Sequence, residues 1–161
     1  MLIRLATEQD ADAFAAVVAD VAEEGRWIAT EPPVDVEQLA ERLRTALREG
    51  ETLWVLDDGR RVIGTLGLHH TKAEGVVLLG MSLIASERGK GHGRAMLQVA
   101  IEHARAARMH KIELEVWPDN EAAIALYESF GFEVEGLRRD HYRRRDGSLR
   151  SAQIMALLLE D

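Results

Sequence analysis

The 161-residue chain contains no cysteine. Disulfides, thiolate metal sites, iron–sulfur ligation and a cysteine acyl-enzyme are therefore excluded, and any chemistry must use other groups. Positive charge is also scarce: 20 Lys and Arg stand against 28 Asp and Glu, a net charge of −8. The deficit is uneven, because Met1 to Glu87 hold 8 basic and 16 acidic residues while Arg88 to Asp161 hold 12 of each. Phosphate backbones repel such a chain unless it carries a basic stripe, so nucleic acid is not the expected partner. Long apolar runs are missing too. Val76 to Ala85, with Gly80 and Ser82 allowed, is only about half a membrane span, and the opening MLIRLATEQDAD lacks an apolar stretch behind a basic start. No membrane partner is expected, and a cytoplasmic location is. There is no internal repeat, linker or low-complexity segment.

What is present is ordinary for a globular protein: 47% hydrophobic and 30% charged residues. The length suits one domain over residues 1–161. Leu2, Ile3 and Leu5 predict a short strand, and Thr7 with Asp10 a capped helix start. A first helix is expected from about Glu8 to Glu23, with Phe14, Val17, Val18 and Val21 on its apolar face. Gly25 ends it and Pro32-Pro33 enforce an irregular loop. Asp35 with Gln38 caps a second helix, whose Leu39, Leu43 and Leu47 repeat until Gly50. The period then drops to two. Thr52 to Asp57 and Arg61 to His69, joined by Asp58-Gly59, predict a hairpin. Val76 to Ile84 predicts a mostly buried strand, Gly91 to about Arg108 a helix, Lys111 to Val116 a strand, and Asn120 to Phe130 a short helix closed by Gly131. A last hairpin, Phe132 to Arg145 and Leu149 to Leu159, turns at Asp146-Gly147. The order β-α-α-β-β-β-α-β-α-β-β implies an α/β fold, a mixed sheet flanked by helices.

Between the buried strand and the long helix lies Ile84-Ala85-Ser86-Glu87-Arg88-Gly89-Lys90-Gly91-His92-Gly93-Arg94. Glycines at alternate positions let several backbone N–H groups converge, and the following helix adds its free donors and dipole, a geometry that holds a pyrophosphate. Arg88, Lys90 and Arg94 add positive charge. A P-loop is excluded, because no Lys-Ser/Thr pair follows the glycines. A dinucleotide fingerprint is partly matched by Gly91-x-Gly93 and by Glu113 or Glu115, but its third glycine is Met96 here.

Arg88-x-x-Gly91-x-Gly93 matches an [RQ]-x-x-G-x-[GA] acyl-CoA loop. Further along, Leu114-Glu115-Val116-Trp117-Pro118-Asp119-Asn120-x-x-Ala123-Ile124-x-Leu126-Tyr127-x-x-x-Gly131-Phe132 matches a second signature of the same family at the expected distance. By these motifs and the element order, the chain resembles the GNAT superfamily of acyl-CoA-dependent N-acyltransferases over essentially its whole length. The resemblance implies a mostly antiparallel sheet of about seven strands with about four helices. The strand before the loop should carry a bulge and splay from a parallel neighbour, leaving a cleft for acetyl-CoA. Backbone groups near Leu83 and Ala85 would pair with pantetheine, and the backbone from Arg88 through Gly89, Lys90, Gly91, His92 and Gly93 to Arg94 would hold the pyrophosphate. The activity implied is direct transfer of an acetyl group to a primary amine. A strand amide near Leu83 would polarise the thioester carbonyl. Tyr127 matches the tyrosine that gives a proton to, or hydrogen-bonds, the departing sulfur, and Asn120 a position that orients CoA or a water. Asn is equally a helix cap. A sensor that binds acyl-CoA without turnover is the alternative.

The proton acceptor is not marked. Val76 to Ala85 contains no carboxylate; Glu74, Glu87, Glu113, Glu115, His69, His70, His92 and His141 remain candidates. No metal is expected, since no His pair has ligand spacing with a carboxylate partner. Asp20, Glu23, Glu24, Glu31, Asp35, Glu37 and Glu41 crowd the first two helices. They are either wet faces or an acidic rim that draws in a cationic amine, with Trp27 packed on the acceptor. Arg138 to Arg150 carries six arginines: a clamp for the CoA 3′-phosphate, a grip for a substrate carboxylate, or the exposed face of a hairpin. A homodimer is compatible with this reading.

Overall fold

The computed structural model describes residues 1–159. Strands β1 (Leu2–Leu5), β2 (Thr52–Asp57), β3 (Val62–His70), β4 (Val76–Leu83), β5 (Lys111–Val116), β6 (Glu133–Arg143) and β7 (Leu149–Leu158) form one sheet in the order β1-β2-β3-β4-β5-β7-β6. Helices α1 (Ala11–Glu23), α2 (Val36–Arg48), α3 (His92–Ala106) and α4 (Glu121–Glu128) cover it. The expected order and the four helices are found. No helix among the described residues is long and apolar enough to cross a membrane.

Local chemistry places the ends. Asp10 accepts the Thr7 N–H at 2.8 Å and is itself held by Arg4, so the first three expected helical residues form a tight 3₁₀ turn before α1. Asp35 accepts the Gln38 N–H at 2.9 Å and starts α2. Alternation along β2 sends Leu53 and Val55 to Phe14, Ala15, Ala40 and Leu43 on one face, and Trp54 and Leu56 to the larger cluster around Leu97, Ala100 and Leu114 on the other. Burying each large apolar side chain contributes about 1.5–3 kcal/mol, so α1 and α2 are fixed to one face and α3 to the other.

All neighbouring strands are antiparallel except β4 and β5, whose parallel pairing covers only Val76–Leu78 with Lys111–Glu113. Beyond Leu78, β4 follows β3 and β5 follows β7, and the two ribbons separate because each twists with its own partner. Two expectations are corrected here. In strand β4 only Val76, Val77 and Leu79 are buried; Leu78 and Gly80 are exposed, and Met81, Ser82 and Leu83, which have no strand beside them on the β5 side, are partly so. Nor does the splay need a bulge, for the β3–β4 register runs without a shift from His70–Val77 to Gly64–Leu83.

Candidate active site

The gap between β4 and β5 opens into a cleft of about 790 Å³. Its edge is defined by strand parity. Thr71 N–H donates to Val76 O and Ile84 N–H to Ile63 O, so the even positions of β4 face β3. The odd positions therefore turn their backbone groups the other way, and past the last β5 pair these are Leu79, where the ribbons part, and then Met81 and Leu83. Leu83 was expected; Met81 was missed, although the same parity makes it the second open position. Ala85 is corrected, because it belongs to a 3₁₀ turn, where its carbonyl accepts the Arg88 N–H, and does not border the cleft.

The loop after β4 is shaped by its backbone. Gly89 and Gly91 have φ of +73° and +85°, a left-handed conformation that strains any L side chain, and Gly91 caps α3. Leu83, Arg88, Gly89, Gly91, Gly93 and Arg94 border the cleft. Lys90 and His92 do not: both lean on Glu87, at 3.2 and 3.5 Å. The Arg88 side chain is occupied as well. Its Nε donates to Leu83 O at 2.9 Å and its terminal nitrogens to the Glu24 carboxylate at 2.8 and 2.5 Å.

Across the cleft, Tyr127 of α4 is buried against Phe132, with ring centroids 5.7 Å apart, and borders the cavity. Burial pushes its phenol up to about 12. It thus keeps its proton at neutral pH. Asn120 also borders the cleft, and its Oδ1 accepts the Ala123 N–H at 3.3 Å, so the capping role is present. Of the carboxylates considered, Glu115 is on the wall, while Glu113 is tied to Lys111 at 3.0 Å and Glu87 to Lys90. Glu115 accepts the Tyr142 hydroxyl at 2.5 Å and pairs with Arg138. Burial, reinforced by that carboxylate, pushes Tyr142 up to about 12.

A splayed parallel pair, a glycine loop on a helix N-terminus and a tyrosine opposite them coincide with a family model: residues 15–132 match that of the acetyltransferase (GNAT) family. The chain belongs to the GNAT family. It is 30% identical over 139 residues to the L-methionine sulfoximine/L-methionine sulfone acetyltransferase of Pseudomonas aeruginosa, covering 83% of this chain and 81% of that protein. It is 44% identical over 68 residues to the [ribosomal protein bS18]-alanine N-acetyltransferase of Escherichia coli, covering 42% of this chain and 45% of that one. The chain spans less than half the length of the curated relatives it matches first. Among solved structures, a ribosomal-protein-alanine N-acetyltransferase from Brucella melitensis superposes with a TM-score of 0.89 at 29% identity, over 99% of this chain and 100% of that one.

The wall of the cleft built by α1 and the loop after it is apolar. Phe14, Val18 and Val21 of α1 and Trp27 and Ile28 of the following loop line it, and none of the expected acidic residues does. Glu24 is held by Arg88 and the Trp27 indole, Glu31 by Arg144, Asp35 by its cap and Glu41 by Arg44. Four of the seven expected rim carboxylates are thus engaged in structure, and Asp20, Glu23 and Glu37 lie outside the cleft wall. The arginine segment is corrected in part. Arg144 is buried, donates to Ala29 O at 2.8 Å and lies over Trp117, while Arg150 donates to Arg26 O at 3.1 Å and stacks on the same ring at 4.4 Å. Arg145 donates to Pro32 O. These arginines strap down residues 26–32.

Proposed function

We propose that this GNAT protein transfers the acetyl group of acetyl-CoA directly to a primary amine. The observation that carries the reading is the open edge of β4: backbone groups of Met81 and Leu83 face a cleft that Tyr127 borders from the other side. Pantetheine extends such an edge as a strand would. The residues fit the group. Backbone N–H groups around Gly89 and Gly91, with the N-terminus of α3, suit its pyrophosphate, and Arg94 adds a cation. Acetyl-CoA supplies an activated acyl group; the protein supplies position, a polarising N–H on β4 and protons. Tyr127, protonated at neutral pH, gives its proton to the departing sulfur. Asn120, with Oδ1 in the cap, keeps both amide N–H groups and the second Oδ1 lone pair to orient cofactor or water.

The acceptor reading follows from the wall. Apolar Phe14, Val18, Val21, Trp27 and Ile28 favour an amine carried beside a small apolar group, such as an amino acid or the N-terminus of a protein, in keeping with the alanine and methionine-derived acceptors in the names of the relatives. A cationic preference would rest on Glu115 alone. Thiol release from acetyl-CoA, followed with a panel of amino acids, peptides with free N-termini and polyamines, tests both statements. Release with the first two classes is expected. Tight CoA binding without release on any amine would indicate a sensor instead.

A further inference from the structure

An amine that adds to a thioester becomes an ammonium nitrogen, which must lose a proton for the amide to form. Strand β4 carries no carboxylate to take it. The neighbouring strand offers a different group. Thr65, Gly67 and His69 alternate with Leu66 and Leu68, so they share the sheet face under α1, and all three border the cleft. Gly67 lies directly opposite Gly80 of β4. Two facing glycines leave a shelf without side chains, and the His69 imidazole lies over it: a Cβ at Gly67 would stand 2.7 Å from Nε2, and one at Gly80 4.0 Å from it. Any side chain at Gly67 evicts the ring.

The second ring nitrogen is held from behind. Nδ1 lies 3.5 Å from a Glu51 oxygen, and both Glu51 oxygens accept the His70 N–H, at 3.0 and 3.2 Å, which anchors the carboxylate. Nδ1 is the ring nitrogen nearer the carboxylate, and a proton there leaves the Nε2 lone pair above the shelf. The hollow behind the ring is bordered by Glu41, Arg42 and Glu49, whereas the β4 residues beneath it, Leu78 and Gly80, carry no charge. A pantetheine whose two amides pair with Leu83 and Met81 brings its thioester to the next positions along the strand, Gly80 and Leu79. The reacting carbon then sits at the shelf.

Resting on the transfer reading above, the geometry points to His69, positioned by Glu51, as the general base. The amine nitrogen bonds to the acyl carbon, its proton passes to Nε2 directly or through one water, the C–S bond breaks, and Tyr127 protonates the sulfur. Solvent returns both side chains to their starting states. Glu115 is the rival on the same wall, but Tyr142 and Arg138 already engage it.

The test is thiol release across pH by the unsubstituted chain and by H69Q, H69A and E115Q, with CoA affinity measured by calorimetry. Substitution H69Q is expected to lower kcat/KM about 10²-fold and remove its acid limb, with CoA affinity changed by less than about twofold. Added imidazole should restore part of the H69A rate. Nitrogen-15 spectra of the free protein, recorded above the acid limb, should show the His69 proton on Nδ1. An acid limb kept in H69Q and lost in E115Q overturns the role, as does an Nε2–H tautomer. Absence of release from the unsubstituted chain removes the transfer reading and this role together; release with an unaltered H69Q profile removes the role alone.

Discussion

The two sides of the cleft are built by opposite means. The anion loop, Ile84 to Arg94, takes its shape from its own backbone: two glycines at positive φ and the start of α3. The acceptor loop, residues 25–34, takes its shape from side chains more than a hundred residues away, since Arg144, Arg145 and Arg150 hold the carbonyls of Ala29, Pro32 and Arg26. A ligand common to a whole family can be met by backbone, which side-chain changes at positions other than the two glycines leave in place. An acceptor that differs among relatives is better met by a loop whose shape depends on replaceable arginines. Substitutions on the two sides should therefore fail in different parameters.

The largest effect belongs to the residue where the sides meet. Replacement of Tyr127 by Phe should lower kcat by about 10²-fold or more while CoA affinity stays nearly unchanged, because the phenol is asked for a proton only as the sulfur leaves. With its pKa at about 12, loss of that proton cannot limit the rate below pH 10. A basic limb near neutrality that vanishes in Y127F would show that the phenol is not in this buried state.

On the anion side, Gly91→Val isolates backbone shape. No heavy atom lies within 4 Å of the Cβ it adds, and its φ of +85° is one an L residue resists by roughly 1–2 kcal/mol. The expected result is a CoA dissociation constant about tenfold higher, with the acceptor KM little changed. Equal CoA binding, by calorimetry, would move phosphate recognition from the loop backbone to side chains.

On the acceptor side, Arg144→Ala removes a buried guanidinium that holds Ala29 O and covers Trp117. The acceptor KM should rise roughly fivefold, and CoA affinity should hold. A matched loss of CoA affinity would mean that the strap shapes the whole cleft.

This contrast also explains what could be read beforehand. Caps and turns are short-range, so Thr7 with Asp10, Asp35 with Gln38, Asp58-Gly59 and Gly91 mark element ends from residues at most four apart. The order of elements along the chain follows from those signals, whereas the parallel pair came from the family resemblance. The family motifs lead to Gly89, Gly91 and Tyr127 for the same reason. Which members of the acidic crowd of α1 and α2 are engaged was not legible, because a carboxylate's partner is set by tertiary contact: Glu24 meets Arg88 and Glu31 meets Arg144, pairs that no local spacing reveals. Met81 was within reach, since parity along β4 marks it; Ala85 failed because the strand ends before it. His69 stood among several histidines until Gly67, Gly80 and Glu51 were seen around it.

The smallest expected effect lies at an ion pair that joins the two sides. Arg88 comes from the anion loop, yet it grips Glu24 at the end of α1, next to the acceptor loop, and caps the Leu83 carbonyl on the open edge. Bonding to Arg88, opposed by burial, holds the Glu24 carboxyl below its ordinary 4.5. A depressed carboxyl contributes stability above its unfolded value and loses it as the pH falls below that value. The stability gap between the natural chain and Glu24→Gln, below about 1 kcal/mol at neutral pH for so exposed a pair, should therefore close as the pH drops beneath 4.5. A gap that widens in acid would refute the pairing. The functional signs should differ as well: E24Q frees Arg88 for a pyrophosphate and tightens CoA slightly, while the Trp27 indole N–H exchanges a carboxylate acceptor for a weaker amide oxygen and the acceptor KM rises. Changes of the same sign in both constants would show that the ion pair supports one shared surface, with no division between the two sides.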